Sequence, residues 1–171
     1  MRTVALRVAA LALLLLLILV SAITVRMLNR LPNSVVYFVR SQETTFTLEG
    51  VRRRFDAKTL EAQLGAALQA LIEGTDEAGL SSAFPPGTAV RSLELNGDTV
   101  SVDLSSAFAE GGTAALMLGR LNQLFYTLTQ PLNVKGVFLR IEGEPVEAFG
   151  GEGLLVPQPW TEPEERTLPV W

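Results

Sequence analysis

Val90-Arg91-Ser92-Leu93-Glu94-Leu95-Asn96-Gly97-Asp98-Thr99-Val100-Ser101-Val102-Asp103-Leu104 is the most informative run in this chain of 171 residues. Two alternating segments flank Asn96-Gly97, the strongest short-range signal of a β-hairpin, because a tight primed turn needs positive φ at its centre. Val100, Val102 and Leu104 fall on one face and Thr99, Ser101 and Asp103 on the other, a period of two with one side buried. After Ala109-Glu110-Gly111-Gly112 the period lengthens. Ala114, Met117, Leu118, Leu121, Leu124, Phe125 and Leu128 then trace one apolar stripe, wide enough for a helix to lie across a sheet.

Working outward, Val35 to Arg40 is β-branched and aromatic and predicts a strand, with Thr45 to Val51 pairing back on it. Leu60, Leu64, Ala67, Leu68 and Leu71 predict a helix that Asp56 caps and Gly74 ends. Gly65 inside it costs about 1 kcal/mol relative to Ala, so close packing on the sheet is expected there as compensation. Thr75 to Gly87 reads as a long loop, and Gln130-Pro131 stops the second helix. Val137 to Ile141 predicts another strand, and Gly143 to Val146 a short return. Beyond Gly150 regular pattern fades. Trp160 and Trp171 in the acidic, proline-containing tail are expected to tuck against the domain, the alternative being an anchor for a partner. The order ββαββαβ predicts an α+β fold: a single small domain whose mixed or antiparallel sheet carries two helices on one face.

Cysteine and histidine are both absent, which excludes disulfides, thiolate chemistry and any histidine-based triad. Val8 to Val25 carries no charge and is long enough to span a bilayer. The reading is a short flank over residues 1–7, a transmembrane signal anchor over 8–25 and a linker over 26–34. A domain over 35–155 and a tail over 156–171 follow. The alternative for the apolar segment is a cleaved signal peptide with small residues at Ser21-Ala22. Both place the domain outside the cytoplasm. Arg2, Arg7, Arg26 and Arg30 account for four of the 14 basic residues, and residues 1–30 hold no acid. The other 10 basic residues therefore face all 18 acidic ones, a net charge of −8 over residues 31–171. Such a surface disfavours nucleic acid as a partner.

Candidate chemistry is sparse. Arg52-Arg53-Arg54 reads as a solvated strand end that protects a sheet edge, or as a docking patch for an acidic partner or cell-wall polymer. Asp76-Glu77 reads as a solvated acidic pair, since nothing converges on it. In Asp103-Leu104-Ser105-Ser106 the aspartate is expected to be exposed or turned toward the serines, fixing the exit from the hairpin by a local bond. A nucleophilic serine without histidine would need a lysine, and neither Lys58 nor Lys135 has an evident serine partner. No catalytic, cofactor-binding or metal-binding residue is expected.

Several runs in order resemble the GerMN domain of bacterial sporulation and germination proteins. They are Val36-Tyr37-Phe38, Ala67 to Thr75, Phe84-Pro85-Pro86-Gly87-Thr88, Val100 to Phe108, Leu124 to Thr129, Val134-Lys135-Gly136-Val137 and Ile141-Glu142-Gly143. The resemblance covers residues 35–155. It implies a fold similar to ring-building motifs and a noncatalytic, membrane-anchored extracytoplasmic scaffold or protein-interaction module of a cell-envelope complex. The alternative it leaves open is an accessory or regulatory module for peptidoglycan remodelling with a cell-wall hydrolase partner. The implied partners are envelope proteins, including further copies of itself, with the membrane reached through the N-terminal helix. A lipid-modified cysteine, found in many relatives, has no counterpart here.

Overall fold

The computed structural model describes residues 13–22, 31, 33–41, 45–130, 134–150, 153–161 and 167–169. It divides into two compact units, residues 1–32 and 33–171. In the first, residues 13–22 form an apolar, exposed helix, α1. The rest of the expected anchor, residues 8–12 and 23–25, lies outside the described residues. Among the described residues no helix is long and apolar enough to cross a membrane.

The second unit is an α+β fold. Strands β1 (Ser34–Ser41) and β2 (Thr45–Arg53) are followed by helix α2 (Leu60–Glu73) and a two-residue strand β3 (Leu80–Ser81). The hairpin strands β4 (Val90–Asn96) and β5 (Thr99–Leu104) lead through a 3-10 turn to helix α3 (Ala114–Leu128). Next come β6 (Gly136–Ile141) and the short strands β7 (Glu144–Pro145), β8 (Ala148–Phe149), β9 (Leu154–Leu155) and β10 (Thr167–Pro169).

Among the described residues the strands do not join one sheet, as the element order suggests, but divide into two four-stranded sheets and a small hairpin. In one, the order is β10-β2-β1-β3; in the other it is β4-β5-β6-β7. The β5–β6 pair is parallel and is joined by α3, the crossover that parallel neighbours require. Sheet separation has a local cause at β1. Next to the short β3, the main chain of Tyr37 is bonded by α3 side chains: its N–H donates to Thr127 Oγ1 (3.0 Å) and its carbonyl accepts from Gln123 Nε2 (3.0 Å). A helix occupies the position a further strand would take.

The hairpin forms where expected, but its turn is shifted by one residue. Asn96 pairs with Thr99, so Gly97-Asp98 form the two-residue loop, and Gly97 alone in it has positive φ, at 67°. Glycine at the first central position marks the type II′ turn, the other primed type from the type I′ turn of an Asn-Gly loop. A bulge at Arg91, between the pairs of Val90 and Ser92, interrupts the register at the far end.

One core serves the unit. The parallel register sets Val100 beside Val137 and Val102 beside Leu139, and all four are fully buried. Leu64, Leu68 and Leu71 of α2 and Leu121, Leu124 and Leu128 of α3 belong to the same cluster, as do Val36 and Phe38 of β1. The two helices pack on each other and on β1, while α2 also meets β4 and α3 also meets β6. Consequently α3 is enclosed on nearly every side: Gly119 to Phe125 are consecutive and all buried.

Helix α2 begins later than its sequence suggests. Its cap is Thr59, whose hydroxyl accepts from the Ala62 N–H (3.2 Å), and Asp56 stands too far upstream to reach the first turn. Gly65 makes no close approach either; a Cβ built there meets nothing within 4 Å. With no packing to compensate the glycine, Gly65→Ala should stabilise the protein by about 1 kcal/mol, read as a raised urea midpoint.

Past residue 155 the chain remains part of the fold. Trp160 exchanges two main-chain hydrogen bonds with Val137 (2.9 and 2.7 Å) and packs its ring on Phe125, centroids 4.7 Å apart. Tucking of this tryptophan against the domain is therefore observed; Trp171 lies outside the described residues.

Candidate functional site

Polar side chains gather in three places among the described residues. The first is the upper end of the β4–β5–β6 sheet. The bulge at Arg91 re-aims its side chain, as bulges do, so that Nε meets Asp103 Oδ2 (3.1 Å) and Nη1 meets Glu142 Oε2 (2.7 Å). Asp103 is 9% exposed, and its other oxygen accepts the Gly143 N–H (3.0 Å). Glu142 holds a φ of 52°, uncommon for a residue with a side chain, and its second oxygen accepts the Ser106 N–H (2.9 Å). Ser105 Oγ accepts from the Ala89 N–H (2.9 Å) and stands 3.3 Å from the Gly87 carbonyl, to which it donates.

The Asp103-Leu104-Ser105-Ser106 signature thus has a structural account, by a route different from the expected one. Asp103 does not turn to the serines. It reaches across to the β6–β7 turn, while Glu142 comes back from that turn to the Ser106 amide. The result is a clasp joining the hairpin exit to the end of β6. The Ser105 hydroxyl is engaged by backbone on both sides. Lys135, one of the two lysines, pairs instead with Asp98 (3.1 Å), and that contact holds the Asp98 carboxyl below its ordinary range. Asp103→Ala would strand the Gly143 amide and one end of Arg91. We expect a loss of about 2 kcal/mol in chemical unfolding, with the slope of the transition unchanged.

The second place is the interior polar row of α3. Arg120 is 2% exposed, and its guanidinium reaches only carbonyls: Ala83 from Nε (3.1 Å), Phe108 and Glu110 from Nη1 (2.5 and 3.3 Å) and Gly111 from Nη2 (3.2 Å). The rings of Phe108 and Phe149 lie 5.8 and 6.0 Å from its central carbon. Burial lowers the affinity of this group for its proton, yet a guanidinium stays charged in proteins. Gln123 continues the row, accepting from the Ala83 N–H (2.8 Å) and donating to the carbonyls of Tyr37 and Ser81. These contacts pin the loop before the hairpin and the segment before α3 to one helix. The sequence reading gave no role to Arg120, Gln123 or Thr127.

The third is an open depression of about 490 Å³ at the C-terminal end of α2, lined by Arg53, Glu73, Gly74, Thr75, Asp76 and Glu77. Arg53 Nη2 donates to Thr75 Oγ1 (3.1 Å), and that oxygen also accepts the Glu77 N–H (3.2 Å). Asp76 and Glu77 are exposed, and no group of three or more acidic side chains among the described residues could hold a metal ion. Arg52, Arg53 and Arg54 do not form a single patch. Arg52 in β2 and Arg54 just past its end are exposed, while Arg53 between them is half-buried over the depression.

An antiparallel hairpin, a crossover helix and a third, parallel strand, with a second helix on the same core and an added strand pair, make up an α+β module. The chain belongs to the Germane family, described as "Sporulation and spore germination", whose profile matches residues 35–147. It is similar in fold to the first GerMN domain of the sporulation protein GerM from Bacillus subtilis. That match has a TM-score of 0.62 at 17% identity and covers 78% of this chain and 100% of the other. The tandem GerMN domains of the same protein match with a TM-score of 0.60 at 23% identity over 78% of this chain. This chain spans 45% of that tandem structure. A putative lipoprotein from Clostridium perfringens matches with a TM-score of 0.50 at 20% identity, over 79% of this chain and 87% of the other. No curated protein matches the sequence significantly.

Proposed function

We propose that this chain is a noncatalytic GerMN-domain protein, anchored in the cell membrane by residues 8–25, with its domain on the extracytoplasmic side. There it acts as a scaffold or protein-interaction module of a cell-envelope complex. The observation that carries this reading is how the polar groups are used. At the upper end of the sheet they bond to backbone and to one another, and along α3 to backbone, and so build shape rather than a reacting centre with nucleophile, base and oxyanion donors. Two further facts support it. An apolar, uncharged stretch precedes the domain, and one relative of similar fold carries the description of a lipoprotein, a membrane-attached form that a chain without cysteine must replace with polypeptide.

In-cell photo-crosslinking from Ser92 or Glu94, both exposed on strand β4 at one edge of the second sheet, tests the reading. Capture of a further copy of this chain, or of another membrane-anchored envelope protein, is the expected result. Capture only of cytoplasmic proteins would overturn the topology. Capture mainly of a wall hydrolase or of glycan would replace the scaffold with an accessory role in peptidoglycan remodelling.

A further inference from the structure

The cations of the folded domain are unevenly engaged. Arg40 pairs with Glu49, Arg91 with Asp103 and Glu142, and Lys135 with Asp98. Arg120 is buried among carbonyls, and Arg140 lies over the ring of Phe138. Neither of these two makes an ion pair among the described residues, and nor do Arg52, Arg53, Arg54 and Lys58, the group of four that stands together in sequence; Arg52, Arg54 and Lys58 are exposed. Those four fall within seven positions of one another in a domain whose net charge is strongly negative. Asp56 is the acidic residue between them, and Glu61 in the first turn of α2 faces the Leu95 amide (3.4 Å).

Strand register decides where this cluster stands. Arg52 pairs with Val35 and Arg53 with Ser34, and Arg54 Nε donates to Asn33 Oδ1 (3.3 Å). The three arginines therefore sit at the point where the chain enters the domain, and Lys58 follows four positions after the last of them. Eight positions separate Asn33 from Val25, the end of the apolar stretch, a reach of at most about 28 Å when fully extended. A soluble partner would place no constraint on where such a cluster lies; a bilayer surface would require it at this pole. Cations near an anionic bilayer surface are drawn to it over about one Debye length.

We propose that Arg52, Arg54 and Lys58 form a docking surface for anionic phospholipid headgroups, holding this pole of the domain against the bilayer. The proposal rests on the anchored reading above. It also accounts for the acidic remainder of the surface, which the same bilayer repels, so that the domain has one favoured orientation.

The test uses the full chain in nanodiscs, of phosphatidylcholine alone or mixed with phosphatidylglycerol. Because the chain has no native cysteine, Asp56→Cys provides a single labelling site for a fluorophore, and a headgroup-linked quencher reports its distance from the lipid surface. Stronger quenching in the anionic discs, abolished by added salt, is expected. The double variant Arg52→Gln/Arg54→Gln should reduce the docked population on the order of tenfold, and Arg140→Gln should leave it unchanged. Salt titration of the unsubstituted surface keeps the test decisive should the double variant fold poorly. Equal quenching in both disc types, with the chain still inserted, would overturn the lipid assignment. So would retention on a soluble phosphate polymer without any lipid dependence. A chain that fails to insert into either disc would overturn the anchor itself.

Discussion

Arg120→Met should destabilise the domain by about 3–5 kcal/mol, seen as a large fall in the urea midpoint and, in a marginal background, as loss of the folded protein. Methionine fills a comparable volume, so the cost comes from hydrogen bonding rather than from a cavity. Four carbonyls, those of Ala83, Phe108, Glu110 and Gly111, now share one guanidinium. Those of Ala83 and Phe108 would lose their donor where water is largely excluded, those of Glu110 and Gly111 where it is partly so, and an unsatisfied buried polar group costs about 1–3 kcal/mol. Arg120→Lys is the informative companion. A lysine keeps the charge but offers donors from one point rather than from a planar fork. It cannot reach four carbonyls spread over two segments, so we expect rescue of less than half the loss. If methionine were tolerated as well as arginine, the guanidinium would be an incidental feature of α3 rather than the post that holds the loop before β4 and the segment before α3.

Ending the chain after Leu155 should be nearly as damaging, whereas ending it after Thr161 should be far milder. The shorter product loses Gln158, whose amide bonds both the N–H and the carbonyl of Leu139 and the carbonyl of Val146. It also loses Trp160, 3% exposed in the core, and Val156, likewise buried. Removing a buried tryptophan alone costs about 3–5 kcal/mol, so Trp160→Ala in the full chain should reproduce most of the effect. Thermal unfolding of the two truncated chains beside Trp160→Ala separates packing from edge pairing. A truncated chain as stable as the full one would mean that residues 156–160 rest on the domain without supporting it. The longer product still lacks β10, which pairs with β2 over Thr45 to Thr47, so a small loss is expected there too.

How much of this was legible in the sequence depends on whether the information is local. The hairpin and the α3 stripe were legible because each is set by one apolar face, and a face imposes its period on neighbouring residues. The division into two sheets was not, because the residues that decide it are far apart: Tyr37 lies 90 positions from Thr127. Arg120, Gln123 and Thr127 recur at i, i+3 and i+7, which is also the pattern of a solvated helix face. Their burial had one faint signal, since Arg120 is the only charged residue in the fifteen of α3. A helix face meant for water usually carries more charge than that. The clasp at Glu142 left no signal at all, because its geometry depends on a positive φ at a residue that seldom adopts one. The Asn-Gly pair marked the right turn and the wrong pair of residues, a one-position shift that strand pairing alone could settle.

The bond from Tyr37 to Thr127 also has a meaning in time. A chain grows from its N terminus at about 5–20 residues per second, so β1 exists for roughly 5–18 seconds before α3 has been made. During that interval β2 can satisfy one side of β1 and β3 can meet the other side at Val39 and Arg40, but the main-chain groups of Tyr37 still lack the α3 side chains that bond them. The first strand of the domain is therefore still incomplete when most of the domain has been made, and the earliest part to be synthesised is among the last to be completed.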